Sequence, residues 1–305
     1  MNVNAGSLQE MRAQMVLLGT MVIWGANIPV IKFLAVRFEP ITLACIRMGC
    51  ACAVFGAIAC LRRSSRFSLV SQHWKTVLSC GVLMVYLNQV LLTKGVVLTT
   101  ATKTALIVAL SPLVSSLLAA LVFREPMTMA RCLGIAVGLI GVVGVILYRP
   151  SAQLGAAGIG DALVFLSILT FAIGGVLVQQ LARDLDVTTI SLSIYTVGAL
   201  LLTVHALVGG FDAGIFFPHL LPWSLIFFSG VAATALGNLV WNKSIGVLGI
   251  GRTGLYLNWV PLFAIGAAVL FLGEPLSWPL VVGFVCVVTG TWMGAMQKSV
   301  APGCQ

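Results

Sequence analysis

The chain has 305 residues, 60% of them hydrophobic and only 8% charged, with a mean hydropathy of +1.09. Soluble globular proteins carry about a quarter charged residues, so this composition excludes a soluble enzyme, a disordered chain and a nucleic-acid-binding domain. At about 20 residues per membrane span, the length holds about ten helices and leaves little for any soluble domain.

In chain order, apolar runs predict spans at about 12–34, 40–61, 75–93, 101–123, 130–148, 159–181, 188–209, 221–242, 253–272 and 278–297. These runs are twice the length of a barrel strand and do not alternate in polarity, so the expected fold is an all-α polytopic membrane protein. The first run begins near Arg12, is too long for a signal peptide, and carries Trp24, Asn27 and Pro29. Pro29 removes one backbone hydrogen bond, freeing a carbonyl one turn earlier. The second run contains Arg47, read either as a carboxylate partner or, by preference, as a side chain reaching the outer interface. The third holds Tyr86, Asn88 and Gln89, and the spacing of Tyr86 and Gln89 puts both on one helix face. The fourth ends at Glu125-Pro126, where capping of a turn is the expected role. Gly134, Gly138, Gly141 and Gly144 let the fifth approach a neighbour closely. Gly174 and Gly175 in the sixth mark either a hinge or a close crossing, and the seventh adds Tyr195 and His205. Asn238, Trp241 and Asn242 in the eighth are spaced i, i+3, i+4; Tyr256, Asn258 and Trp259 in the ninth precede Pro261. Seven of the eight cysteines lie in apolar runs without CxxC or Cys/His spacing, which reads as buried small hydrophobes, with no metal site.

Sliding the chain against itself exposes an internal repeat. At an offset of 149 residues, Gly81 to Leu147 aligns without a gap to Gly230 to Met296. SPLVSSLLAALVFREP at 111–126 faces VPLFAIGAAVLFLGEP at 260–275; Lys94 faces Lys243, Thr104 faces Thr253, Gly134 faces Gly283 and Gly141 faces Gly290. Five helices per repeat is an odd number, so the second repeat, 159–298, must lie inverted relative to the first, 12–148. Inverted-topology repeats are characteristic of secondary transporters that alternate access around a midplane site.

The basic residues set an expected orientation. Arg12, Arg62, Arg63, Arg66, Lys75, Arg124, Arg131, Arg183, Lys243, Arg252 and Lys298 fall on one side, against Lys32, Arg37, Lys94, Lys103 and Arg149 on the other. The positive-inside rule then puts both termini in the cytoplasm and makes part of the +9 net charge topological. The eight acids, Glu10, Glu39, Glu125, Asp161, Asp184, Asp186, Asp212 and Glu274, all fall at helix ends or in loops. An obligatory buried carboxylate proton site is therefore not expected, and facilitated export down a gradient is.

WGANIPVIK at 24–32, the doubled Pro…Glu-Pro segments and the Gly-x6-Gly helices after them resemble the EamA-type drug/metabolite transporter superfamily, over nearly the whole chain. Within it the chain looks most like the aromatic amino-acid exporter branch. The resemblance implies a ten-helix exporter of amino acids in a bacterial inner membrane, with its substrate in a central cavity. Intramembrane polar residues are where that cavity is sought, since they are costly in lipid and face protein or water. The expected substrate-binding set is Trp24, Asn27, Tyr86, Asn88, Gln89, Asn238, Trp241, Asn242, Tyr256 and Asn258, with amide glue between helices as the competing role. The amides suit a zwitterion, and the aromatic rings suit an apolar side chain or a cation. An exporter of lipophilic organic cations is the alternative. No catalytic set, cofactor or metal is expected, and the partners are a small-molecule substrate and the lipid bilayer around a monomer.

Overall fold

The computed structural model describes residues 3–62, 70–123, 129–147, 156–212, 214 and 220–295. Glu125, Cys304 and Lys298 lie outside the described residues, as do the last residues of both expected repeats. Among the described residues the regular structure is helical, with no strand. The elements are α1 (Val3–Ala35), α2 (Pro40–Arg62), α3 (Trp74–Leu98), α4 (Ala101–Phe123), α5 (Met129–Leu147), α6 (Ala156–Leu181), α7 (Val187–Gly209), α8 (Leu220 to the break at Gly249), α9 (Ile250–Leu272) and α10 (Trp278–Ala295). Eight of these are long and apolar enough to cross a bilayer, while α5 and α10 carry shorter apolar stretches, Cys132–Gly141 and Trp278–Gly290.

Local chemistry sets many of the boundaries. Glu39 caps α2, its carboxylate accepting from the backbone N–H groups of Ile41 and Thr42, with Pro40 as the first helical residue. Asp186 caps α7 through Thr188 and Thr189, and the Thr100 hydroxyl caps α4 at Lys103. Gly249 has φ 79°, a conformation that favours glycine, and it separates α8 from α9. The equivalent position in the first repeat, Thr100, ends the extended link between α3 and α4. Gly273, at φ 65°, ends α9 in the left-handed conformation.

A second feature repeats at matching positions. Gly81–Leu87 in α3 and Phe228–Leu236 in α8 are π-helical, and Gly81 and Gly230 are equivalent under the repeat offset. In a π turn each N–H reaches back five residues, which widens the coil and shifts the side chains that follow. Glycine permits close packing in both places. A Cβ on Gly81 would meet Val197 and the carbonyl of Ile194 in α7; one on Gly230 would meet Cys50 and the carbonyl of Arg47 in α2.

The two halves are interleaved rather than side by side. α1 packs on α9, α2 on α7 and on the π segment of α8, α4 on α6 and α9, and α5 on α10. The α5–α10 contact is the most extensive and is reciprocal: Gly141 lies on Gly283, and Gly290 lies on Gly134. A contact that exchanges equivalent residues in this way marks a pseudo-two-fold axis between the repeats. The central core draws on both halves, with Leu17, Met48, Phe55, Met84, Ile194, Trp241 and Ala264 buried together. Large apolar side chains such as Leu121, Ile140, Leu200, Leu270 and Phe271 face outward, as a lipid-bathed surface requires.

Candidate functional site

The interleaving leaves a cavity of about 130 Å³, measured as room for the centre of a water molecule, in the middle of the bundle. α1, α2, α3, α4, α6, α7, α8 and α9 all contribute to its wall. Its polar lining includes Asn27, Arg47, Asn88, Gln89, Ser111, Ser167, Thr234 and Asn238, and its aromatic lining is Trp24, Phe171 and Tyr195.

Trp24 is held by its indole N–H, which donates to the carbonyl of Ala233 in the π segment of α8 at 2.8 Å. Its ring meets Phe171 edge-on at 6.0 Å between centroids and Trp241 at 5.4 Å, and Phe171 and Trp241 are 5.7 Å apart. The three rings support one another at separations where aromatic pairs attract. Gly237, directly beneath the Trp24 indole, leaves room for that ring, which even an alanine would displace.

Opposite charge is absent from the cavity while amides are abundant. Arg47 donates from Nη1 to Oε1 of Gln89 at 3.2 Å and from Nη2 to the Thr234 hydroxyl at 3.4 Å. A guanidinium can only donate, so Gln89 must present its oxygen there; its Nε2 then donates to Oδ1 of Asn88 at 3.0 Å. Asn88 passes the chain on through Nδ2 to the carbonyl of Ser167 at 2.9 Å. This network runs α2–α3–α6 and crosses from the first repeat to the second. Asn238 donates to the carbonyl of Thr234 at 2.8 Å, leaving its Oδ1 buried without a partner, and the Oδ1 of Asn27 is likewise buried and unpartnered.

Of the ten residues expected from sequence, Trp24, Asn27, Asn88, Gln89 and Asn238 line the cavity. Trp241 lies behind the wall, 1% exposed, buttressing Trp24 and Phe171. Asn242 donates to the Ser191 hydroxyl of α7 at 3.0 Å, so the shared face of α8 meets two different neighbours. Tyr86 and Gln89 do not point the same way. Tyr86 sits in the π segment, whose wider turn directs its hydroxyl to Nδ1 of His205 at 3.1 Å, away from the cavity. Tyr256 is half-buried and packs against the central core; Asn258 ends the tight turn Leu255–Asn258 with its Oδ1 buried and unpartnered. From that turn it is Leu257, with Val260 after it, that reaches the cavity.

Arg47 does not reach an interface. It is 2% exposed and inside the bundle, because the close approach of Gly230 seats the π segment of α8 against the backbone of α2 at that position. Ser111, Ser167, Phe171 and Thr234 are lining residues that sequence reasoning passed over. Phe171 had no signal among fifteen phenylalanines, but the serines and threonine are polar groups within apolar runs, which is a usable one. Gly174 and Gly175 form a close crossing, with Gly174 against Met84 of α3 and Gly175 against Ile250.

Polar contacts between repeats gather at the bundle end where α3 meets α4. Glu274, in the loop after α9, accepts from the N–H groups of Ala101 and Thr102 at 2.7 and 2.8 Å, capping α4 from the other repeat. At the same end, within the first repeat, Lys32 donates to the carbonyls of Val96, Val97 and Thr99 at 2.9, 3.1 and 2.7 Å, clamping the end of α3. Thr99 donates to Asp161, which is buried with its second oxygen unpartnered, and Thr42 accepts from the N–H of Asp212 at 3.1 Å. At the opposite end His73 lies 3.4 Å from Asp184, and Gln179 accepts from the N–H of Ile250 at 2.9 Å.

Two inverted five-helix repeats around a partly polar cavity near the middle of an apolar bundle define the architecture of a secondary transporter. The EamA-like transporter family profile matches the chain twice, over residues 11–147 and 158–295, and the chain belongs to this family. It is a membrane transporter and not an enzyme. Its sequence is 27% identical to the uncharacterized transporter YyaM of Bacillus subtilis (strain 168), covering 93% of each chain. It is 23% identical to the uncharacterized transporter YetK of the same organism, covering 96% of this chain and 88% of the relative. An uncharacterized transporter of Archaeoglobus fulgidus is 26% identical, over 94% of this chain and 100% of that one. A solved structure titled "Crystal structure of protein" shares the fold with a TM-score of 0.69 at 16% identity, over 92% of this chain and 95% of that chain.

Proposed function

We propose that this protein exports amino acids, aromatic ones included, across a bacterial inner membrane by alternating access, as the aromatic amino-acid exporters that its sequence resembles do. The observation that carries the reading is the composition of the cavity wall. Trp24 and Phe171 offer an apolar surface beside two buried amide oxygens, Asn27 Oδ1 and Asn238 Oδ1, that lack donors. An α-ammonium supplies such donors, and a buried acceptor without one costs about 1–3 kcal/mol.

In this reading both termini are cytoplasmic, and the end held by Lys32 and Glu274 is the outer one. The substrate site is the cavity set of Trp24, Asn27, Asn88, Gln89 and Asn238, with Trp241 supporting it. The unit of function is one chain in which the two repeats move against each other. Among the described residues no carboxylate lines the cavity, which favours export down the substrate gradient over an obligatory proton relay. Lipophilic organic cations find the same aromatic wall, but Arg47 repels them.

Counterflow in proteoliposomes tests the reading. Vesicles preloaded with unlabelled phenylalanine, tyrosine or leucine are expected to take up the labelled amino acid faster than empty ones. Trans-stimulation by tetraphenylphosphonium alone, with no amino acid active, would replace the amino-acid reading with the organic-cation one.

A further inference from the structure

Arg47 is a cation 2% exposed within the membrane-spanning segment Pro40–Leu61. Both of its hydrogen-bond acceptors, Gln89 Oε1 and the Thr234 hydroxyl, are neutral, and its Nε–H is buried with no acceptor. Among the described residues no carboxylate pairs with it. Glu39, Asp161, Asp184, Asp186, Asp212 and Glu274 sit at the two ends of the bundle, engaged with helix N-termini, Thr99, His73 or, for Asp212, the backbone N–H of Gly214. Burying an ion is costly even after relaxation, and among the described residues this one has no counter-charge to offset the cost.

Packing alone does not call for a charge at this position. Gly81 and Gly230 are equivalent in the two repeats; Gly230 seats against Arg47 and Gly81 against Ile194. The second repeat therefore fills the same position with an isoleucine, 0% exposed in the same bundle. The cation exists in one half only, on the wall of the cavity that the unpartnered amide oxygens of Asn27 and Asn238 also border.

We infer that Arg47 binds the carboxylate of the transported molecule, which makes the protein selective for substrates that carry an anionic carboxyl group. This rests on the transport reading above and narrows it. The carboxylate completes the unfilled Nε–H in the side-on geometry that guanidinium groups favour, while Gln89 and Thr234 hold the planar group in place. An ammonium at Asn27 and Asn238 then sits apart from the carboxylate, as in a zwitterion.

The test uses four molecules with one side chain: phenylalanine, phenylalanine amide, phenethylamine and 3-phenylpropionate, each competing against labelled phenylalanine in counterflow. Phenylalanine and 3-phenylpropionate are expected to compete, with the amide and the amine about tenfold weaker or worse, the ratio a lost charge-assisted bond brings. In Arg47→Gln, KM for phenylalanine is expected to rise about tenfold and the preference over the amide to vanish; Arg47→Lys keeps most of the preference. Thermal unfolding in detergent separates loss of binding from loss of fold. Equal competition by phenylalanine and its amide in the wild type overturns the inference and leaves the amino-acid reading standing. So does an Arg47→Gln protein that is folded and keeps its preference. Competition by chloride or inorganic phosphate as strong as that of 3-phenylpropionate also overturns it, since the site would then be a general anion site. Counterflow of labelled 3-phenylpropionate, run beside that of labelled phenylalanine, with no amino acid active sinks the amino-acid reading and keeps the inference, and no counterflow of either label sinks both.

Discussion

Two asparagines on α8 show how one helix face divides into wall and scaffold. Each donates one hydrogen bond and keeps a buried, unpartnered Oδ1, but only Asn238 lines the cavity, while Asn242, one turn on, is turned to Ser191 of α7. Asn238→Ala is expected to raise KM about tenfold, because in the proposed site its free amide oxygen meets the substrate, and to cost about 1 kcal/mol of stability for its bond to Thr234. Asn242→Ala is expected to leave KM in place and to cost about 1 kcal/mol of stability, the net worth of one buried hydrogen bond. Kinetics and thermal unfolding on both variants decide the matter, and the opposite pattern would move the site to the α7 side. Spacing alone could not make this distinction: i, i+3, i+4 puts residues on one face without saying which neighbour that face meets. Arg47 was hidden for a similar reason. Its distance from the helix end suggested an interfacial side chain, and only the glycine seat at position 230 shows that α8 covers it.

At the level of elements, the ten apolar runs, the 149-residue offset and the close contacts of Gly134, Gly138 and Gly141 in α5 were readable, though not the open setting of Gly144, because membrane spans and close helix contacts leave direct marks in composition. The π segments were not. A π turn keeps apolar content and hydropathy unchanged and alters only the phase of the side chains, which is why Tyr86 and Gln89 part company. The break at Gly249 was also missed, since a glycine among glycines in GVLGIGRTG carries no contrast. The seam between α5 and α10 yields a sharper expectation. Gly290→Val inserts a branched side chain against the Gly134 backbone, and overpacking of this kind costs about 1–3 kcal/mol. A lowered melting temperature is expected, whereas Gly144→Val, with open space around its Cβ position, is expected to be neutral. Equal melting temperatures for the two would mean that the seam is loose.

Considered whole, the molecule is held together at one end by contacts that cross between the repeats. Glu274 caps α4 from the far repeat, and Asp161 holds the Thr99 hydroxyl just before it. Removing the charge of Glu274 weakens two bonds to a helix N-terminus without touching the cavity. In Glu274→Gln, a cysteine introduced at Ser111, on the cavity wall, is expected to react about two- to tenfold faster with an impermeant thiol reagent added from that end. Unchanged labelling would show that this contact does not hold the end shut.

Gly141 on Gly283 and Gly290 on Gly134 form a contact that the pseudo-two-fold axis maps onto itself. When two conformers of an inverted duplication differ by trading the shapes of their halves, whatever the axis maps onto itself is the same before and after the trade. In the alternating-access reading proposed above, the glycine seam between α5 and α10 is therefore expected to keep its contacts whichever compartment the cavity faces.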